Sequence, residues 1–378
     1  MPSNSLAFLN QPVSLKQLDL IEIDLPQVGE FQSAIGIRKS RKALIIKWTD
    51  RDDFFGFGEC ACRPDPFYSP EFLEAAKLAV EHFLFPAING AEQYSDVATR
   101  MEKIRGWNFA KAAVEAAAHG SIRSRLGTTI FDEFPHSRLN HVPVGISMGI
   151  QPSAEVMFQK VQEATNEKYS RIKFKISPKV NPNLYRELLQ QFPDQHFSFD
   201  ANGTFTAKDF DQLNEFAQLG KIIEQPLPPT RLDLCLLAKA AIPALQICLD
   251  EEITGIGVLK TAHSLQVIDE LNVKPGRVGG LTNSLEMLQF CFENDLPVWI
   301  GGMFETGIGR SANINLASFC TDATGHDISP SSRYFPQDIV TDPVTMEDGK
   351  VDHARFGEAE VDEAILEKYT ISKKTLKA

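Results

Sequence analysis

Several familiar signatures are missing from this sequence. It has no C-x-x-C pair and no H-E-x-x-H among its 8 histidines, and the one histidine pair at zinc-finger spacing, His136 and His141, has no cysteine pair to accompany it. The common zinc and thioredoxin-type sites are therefore not expected. The 6 cysteines, Cys60, Cys62, Cys235, Cys248, Cys291 and Cys320, are scattered. The opening MPSNSLAFLNQPVSLKQLDLIEIDLP lacks the basic start and apolar core of a signal peptide. The thiols are expected to stay reduced, in the cytoplasm. No stretch approaches ~18 uninterrupted apolar residues, so no membrane span is expected. Positive charge is in deficit too: 38 Lys and Arg against 50 Asp and Glu leave −12. That argues against broad contact with a nucleic-acid backbone. It suits a soluble enzyme that collects a cation. No G-x-G-x-x-G follows a strand, which argues against a dinucleotide site.

What is present is ordinary globular composition, 43% hydrophobic and 23% charged over 378 residues. That length allows two domains, or one barrel with additions. Residues 1–125 read as α+β. Strands are expected at 18–25 and 42–49, and helices at 71–83, 96–104 and 109–125, the last ending at Gly127 as a C-cap. From about 142 the rhythm changes. The pieces VPVGISMGI, RIKFKI, HFSFD, KIIEQP, LQICLDEE, ELNVKPG and LPVWIGGM alternate with amphipathic stretches at 154–167, 183–191, 207–219, 232–240, 256–261 and 282–292. Such βα alternation implies a parallel sheet with crossover helices, and its regular spacing suits a closed (β/α)7β TIM-like barrel over 126–333. The turn-rich remainder, 334–378, is expected to pack back on the first domain.

Three successive strand pieces end in a carboxylate: Asp200, Glu224 and Asp250. In a barrel they share the C-terminal rim, where barrel enzymes build their sites. A lone strand-terminal Asp is often a turn residue or helix cap. Three at matching positions repel one another unless a cation neutralises them, and all-oxygen ligands suit Mg²⁺. In RIKFKISP, Arg171, Lys173 and Lys175 alternate with Ile172, Phe174 and Ile176, a strand with one polar and one apolar face. With a helix layer outside, the apolar face points outward and the lysines point inward. Lys175 ends the second strand and Lys274 the sixth, on opposite sides of an eight-stranded ring. Near other cations in a dry site a lysine's pKa falls, so it can act as a base. The expected chemistry is removal of a proton α to a carboxylate, with the metal stabilising the enediolate.

Other motifs have plainer readings. GISMG, Gly145 to Gly149, fits G-x-S-x-G, and a hydrolase would use Ser147 with His326 or His353. No Gly-rich oxyanion loop precedes it. Gly301 and Gly302 permit either tight backbone packing or approach of a substrate carboxylate. Phe54, Phe55 and Phe57 read as core.

KFK, DAN, EQP, LDE and NVKPGRVGG, in that order, resemble the enolase superfamily, within it the muconate-lactonising-enzyme-like subgroup. GECACRPDPFYSPE, NVKPGRVGGLTNS and GGMFETGIGRS are similar to the o-succinylbenzoate synthases and N-succinylamino acid racemases. The resemblance runs from about Gly56 to Asn315. It implies a barrel lyase with an N-terminal capping domain, acting on a small carboxylate in menaquinone biosynthesis, with racemase, muconate cycloisomerase or dipeptide epimerase as alternatives. A non-catalytic barrel would have lost one of the five key residues, and none is lost. The resemblance implies Asp200, Glu224 and Asp250 as Mg²⁺ ligands (Mn²⁺ substituting), and Lys175 and Lys274 as the catalytic lysines with Lys173 as electrostatic neighbour. It places Ser147, Asn202, Gly301, Met303, Glu305 and Thr306 around the pocket, with capping loops at 27–33 and 60–68. Gly302 and Arg277 join the candidate pocket residues, Arg277 reading either as a surface residue or as a salt bridge at the rim. A homo-oligomer is compatible with it. Glu252 stands where relatives often carry Ser, and is expected to tune the pocket.

Overall fold

The computed structural model describes residues 6–33 and 36–378; the side chains at 29–33 and 36–39, and with them much of the 27–33 capping segment, lie outside that description. Three antiparallel strands open the chain: β1 (Leu15–Ser33), β2 (Gly36–Asp50) and β3 (Phe55–Cys60). Their runs DLIEIDL and KALIIKW are apolar on both faces because both faces are covered. Leu18, Leu20, Leu44, Ile46 and Trp48 join the main core. Ile21, Ile23, Leu25, Ala43 and Ile45 pack against Ile308, Phe335 and Leu366 from later in the chain. Beside β3 lies the Ala-rich helix Asn108–Leu126, which ends at Gly127 with φ 69°. Its contact explains FGFG. A Cβ on Gly56 would stand 2.2 Å from the Ser121 backbone N, and one on Gly58 2.0 Å from the Ala113 O.

Next come β4 (His141–Pro143) and seven parallel strands: β5 (Gly145–Met148), β6 (Arg171–Lys175), β7 (His196–Asp200), β8 (Ile223–Glu224), β9 (Ile247–Leu249), β10 (Glu270–Val273) and β11 (Val298–Ile300). They are paired in chain order, with helices between. The ring closes through residues 326–327. Gly145 donates to the His326 carbonyl at 2.7 Å, and Asp327 donates to the Ile300 carbonyl at 3.0 Å. This is the expected TIM-like barrel, with a short eighth position instead of a full strand. Then β12 (Lys350–Asp352) pairs with β4, and β13 (Thr370–Lys377) adds to the edge of β1, so the tail returns to the first sheet.

Buried glutamates tie the N-terminal domain to the barrel. Glu115 accepts the N–H groups of Leu281 (2.7 Å) and Thr282 (3.1 Å), at the start of the helix Leu281–Glu293. Glu59 accepts those of Thr306 (2.9 Å) and Gly309 (3.2 Å), at the start of Gly307–Ser318. Glu71 does the same inside its own domain, for Phe109 and Ala110. Each carboxylate meets free N–H groups and the positive end of a helix dipole.

Two expectations fail here. Of the FFGF aromatics Phe55 is not core: it is 41% exposed, with the Lys47 ammonium 4.2 Å from its ring centre, while Phe57 is half-buried and packs on the cluster of Ile21, Ile23 and Phe335. Their strand lies on helix Asn108–Leu126 through its glycines. The cysteines are all free and buried, but not all scattered in space. Cys60 and Cys62 Sγ lie 3.6 Å apart beside Glu71. Both Glu71 oxygens already accept helix N–H groups, so the cluster reads as a helix cap packed on two thiols. Among the described residues no helix is long and apolar enough to cross a membrane.

Candidate active site

Parallel register brings the charged residues of β6, β7 and β8 to one height. Lys175 pairs with Asp200, and Asp200 with Glu224. Glu224 pairs with Cys248, so Asp250 stands two residues further along its own strand direction. On β6, Ile172 and Phe174 face the helix layer, where the Phe174 ring meets Tyr185 at 5.1 Å. Lys173 points inward and is buried. RIKFKISP is thus a strand whose polar face looks into the barrel.

The carboxylates Asp200, Glu224 and Asp250 are 1–2% exposed. Lys173 Nζ lies 2.6 Å from Glu224 Oε2, 3.3 Å from Asp327 Oδ2 and 3.6 Å from Asp200 Oδ2. Lys175 Nζ donates to Asp200 Oδ2 and Asn202 Oδ1, both at 2.6 Å. Across the ring, Lys274 Nζ donates to Asp250 Oδ2 at 2.7 Å and to the Tyr68 hydroxyl at 3.1 Å. Tyr68, from the loop after β3, donates to Asp250 Oδ1 at 2.9 Å. The two lysines therefore flank the carboxylates from opposite sides, and a residue of the N-terminal domain reaches one of them.

Burial and mutual repulsion set the ionisation. Burial, then the Asp200 charge, pushes Glu224 up to about 7 against the pull of Lys173. Burial, then Asp250 and Asp200, pushes Glu251 up to about 8. Burial raises Asp200 and Asp250 too, but their lysines, with Arg277 beside Asp250, bring both below the usual range. For Lys173, burial lowers the pKa, and Asp327, Glu224 and Asp200 more than reverse it. Lys274 is likewise lowered by burial and raised further by Asp250 and Tyr68. The expected fall in lysine pKa is therefore corrected for these two. Each ammonium has carboxylates nearer than any other cation, so both stay charged.

Residues 156–357 match the family model for the Enolase C-terminal domain-like family. An o-succinylbenzoate synthase of Enterococcus faecalis is 33% identical, covering 89% of this chain and 92% of its own. An N-succinylamino acid racemase of Amycolatopsis is 32% identical over the same shares. The crystal structure of an enolase-superfamily member from Listeria innocua superposes with TM-score 0.90 at 29% identity, covering 97% of this chain and 99% of that one. The chain belongs to the enolase superfamily.

The residues present fit a divalent cation of the kind this superfamily's barrel would hold. The donors Asp200, Glu224 and Asp250 are all hard oxygens. Burial and then the neighbouring Asp200 charge raise Glu224, and Glu251 Oε2, buried next to Asp250, has no hydrogen-bond partner among the described residues.

Other expected pocket residues divide. Asn202 meets Lys175. Gly301 lets Lys274 pass: a Cβ there would lie 2.7 Å from Lys274 Cε and 2.2 Å from Asn272 Oδ1. A Cβ on Gly302 would meet the Asp327 carbonyl at 2.6 Å. Ser147 is half-buried, one strand over from Lys173 in register, and Met303 packs on the core edge. Glu305 is buried beside Glu59, whose pKa its charge helps to raise.

Arg277 is buried and salt-bridges Asp250, its guanidinium also donating to the carbonyls of Ile253 and Asn272, so of its two readings the surface one falls. Two placements correct the expectation. Thr306 is fully buried. Its hydroxyl donates to Glu59 at 2.7 Å and accepts from Ile308, so it caps a helix and does not face substrate. Glu252 accepts the Arg231 N–H at 3.3 Å, so it pins a neighbouring loop and does not line the pocket. The hydrolase reading also loses its base. His326 Nδ1 accepts the Ile300 N–H at 3.0 Å, its Nε2 has no partner among the described residues, and His353 Nε2 meets Asn315 at 3.0 Å.

Sequence reasoning missed four contributors. Asn272 donates to Glu224 Oε1 at 2.7 Å. Asp327 holds Lys173. Gln225, fully buried, holds the loop that carries Asp250. Arg41 binds the carbonyls of Ala61 and Cys62 on the Tyr68 loop and that of Phe304 on the barrel. Signals existed for Gln225, the middle letter of EQP, and for Asn272, the first letter of NVKPGRVGG.

Proposed function

We propose that this protein is a Mg²⁺-dependent lyase of the o-succinylbenzoate synthase type, removing the α-proton of a succinyl-bearing cyclohexadiene carboxylate and then hydroxide from the same face. One observation carries the reading. Two lysines, Lys175 and Lys274, flank a three-carboxylate cluster at the C-terminal ends of the barrel strands. Relatives at 31–33% identity that are o-succinylbenzoate synthases support the substrate class.

Mg²⁺ held by Asp200, Glu224 and Asp250, with Mn²⁺ as a substitute, would supply positive charge against the substrate carboxylate as its α-carbon gives up a proton. Lys175 is the base. Its side chain is the most exposed of the three, at 16% against 4% for Lys173 and 8% for Lys274. Once protonated it faces the leaving hydroxyl and returns the proton as water departs, which makes the elimination syn. Lys274 and Lys173, held charged by their carboxylates, oppose the negative charge that builds on the substrate. The Tyr68 hydroxyl fixes the Lys274 ammonium.

A lysine on each side also supports a second reading, racemisation of N-succinyl amino acids, in which one lysine takes the proton and the other delivers it. Assaying the dehydration substrate beside N-succinyl amino acids, with and without EDTA, tests both. Turnover of neither, or turnover unchanged by EDTA, sinks the proposal.

A further inference from the structure

Asn202 stands between the proposed base and a fourth carboxylate. It sits two residues past Asp200 in left-handed backbone (φ 43°), with its N–H on Asp200 Oδ1 at 3.0 Å. Its side-chain Oδ1 accepts from Lys175 Nζ at 2.6 Å, and its Nδ2 donates to Glu251 Oε1 at 3.0 Å. A carboxamide can exchange its oxygen and nitrogen by a half-turn of its last torsion, and only its neighbours decide which way it stands. As placed, Lys175 Nζ donates and Glu251 Oε1 accepts, so this orientation of the amide satisfies both neighbours. The flipped amide would forfeit both hydrogen bonds, setting its NH₂ against the donating lysine and its oxygen against the accepting Glu251 Oε1.

We propose that Glu251 is a positioning residue for proton transfer by Lys175: it locks the Asn202 amide so that the amide oxygen holds the lysine nitrogen in place. Lys274 has no such support, because Asp250 and Tyr68 hold it directly. The effect of Glu251 through Asn202 is therefore confined to one face of the substrate. The inference rests on the α-proton chemistry proposed above.

The test uses the full-length, metal-loaded enzyme and α-proton exchange into D₂O from each enantiomer of an N-succinyl amino acid. Lys175→Ala identifies which enantiomer offers its proton to the Lys175 face. Glu251→Met removes the acceptor at similar size. Exchange on the Lys175 face should fall about 10- to 100-fold, as misplacement of a reacting group does, while the other face changes by less than about threefold. Glu251→Gln keeps an acceptor oxygen for Asn202 Nδ2 and should retain Lys175-face exchange within about threefold of wild type. Equal loss on both faces, or equal loss in both variants, overturns the proposal. Wild-type enzyme that exchanges neither enantiomer counts against the proposed function. In that event crystal structures of wild type and Glu251→Met still decide this inference. Displacement of Lys175 Nζ from Asn202 Oδ1 supports it, and an unmoved pair overturns it.

Discussion

The side-chain oxygen of Gln225 accepts the backbone N–H of Asp250 and also that of Glu252, each at 3.1 Å. Its amide nitrogen donates to the Leu227 carbonyl at 2.8 Å. One buried side chain thus sets the path of the loop that carries a carboxylate of the site and the Glu251 beside it. Gln225→Leu would leave buried N–H groups unsatisfied. The expected cost is about 2–4 kcal/mol in urea unfolding, with weaker Mn²⁺ binding as Asp250 loses its position. Unchanged stability would mean that the loop holds itself.

Lys175→Ala should fold and should still bind a divalent cation, because Asp200, Glu224 and Asp250 remain. Its α-proton abstraction should drop about 10²- to 10⁴-fold, the usual worth of a positioned acid–base group. Mn²⁺ titration beside steady-state kinetics separates the two effects. Joint loss of metal and activity would make Lys175 structural.

Glu115 joins the N-terminal domain to the barrel by accepting the N–H groups of Leu281 and Thr282, the Thr282 hydroxyl and the Tyr94 hydroxyl. Glu115→Ala should cost about 2–4 kcal/mol of stability, a lost helix cap with buried donors left unpaired. Urea denaturation checks it. A loss below about 0.5 kcal/mol would show that packing alone holds the junction.

Much of this was legible in the residues. The βα alternation showed the barrel because each strand lies between a helix and the next strand, so the pattern is local. The three carboxylates were legible because the same strand-end position recurs unit after unit. RIKFKISP showed its inward lysines once a helix layer was granted outside. What sequence could not reveal were partners far apart in the chain. Tyr68 meets Lys274 across 206 positions, and Asp327 meets Lys173 across 154. For Arg277, three residues past Lys274 on the helical turn Pro275–Val278, a salt bridge was one of two open readings, and only the structure names its partner, Asp250, 27 positions earlier. The final strand, β13, went unrecognised: five of the eight residues of TISKKTLK are exposed, so its pattern is that of a solvated edge.

Two buried histidines make the fold sensitive to acid. His119 Nε2 accepts the Ile130 N–H at 3.2 Å, and His326 Nδ1 accepts the Ile300 N–H at 3.0 Å. Each acceptor role requires a neutral nitrogen. Burial, reinforced by Arg123 for His119 and by Arg171 for His326, depresses both pKa values to about 3. In the unfolded chain each would titrate near 6.5. Between those values the unfolded state binds more protons, so stability rises with pH there. The contribution is fully present above about 6.5 and is lost as pH falls toward 3, by up to about 5 kcal/mol per histidine. Denaturation midpoints measured from pH 7 to pH 4 should fall accordingly. His119→Gln and His326→Asn each keep an acceptor oxygen near the lost nitrogen but cannot be protonated in this range. Each variant should be less stable than wild type at pH 7 and should close the gap by pH 4. A parallel decline in wild type and both variants would assign the acid sensitivity to other groups.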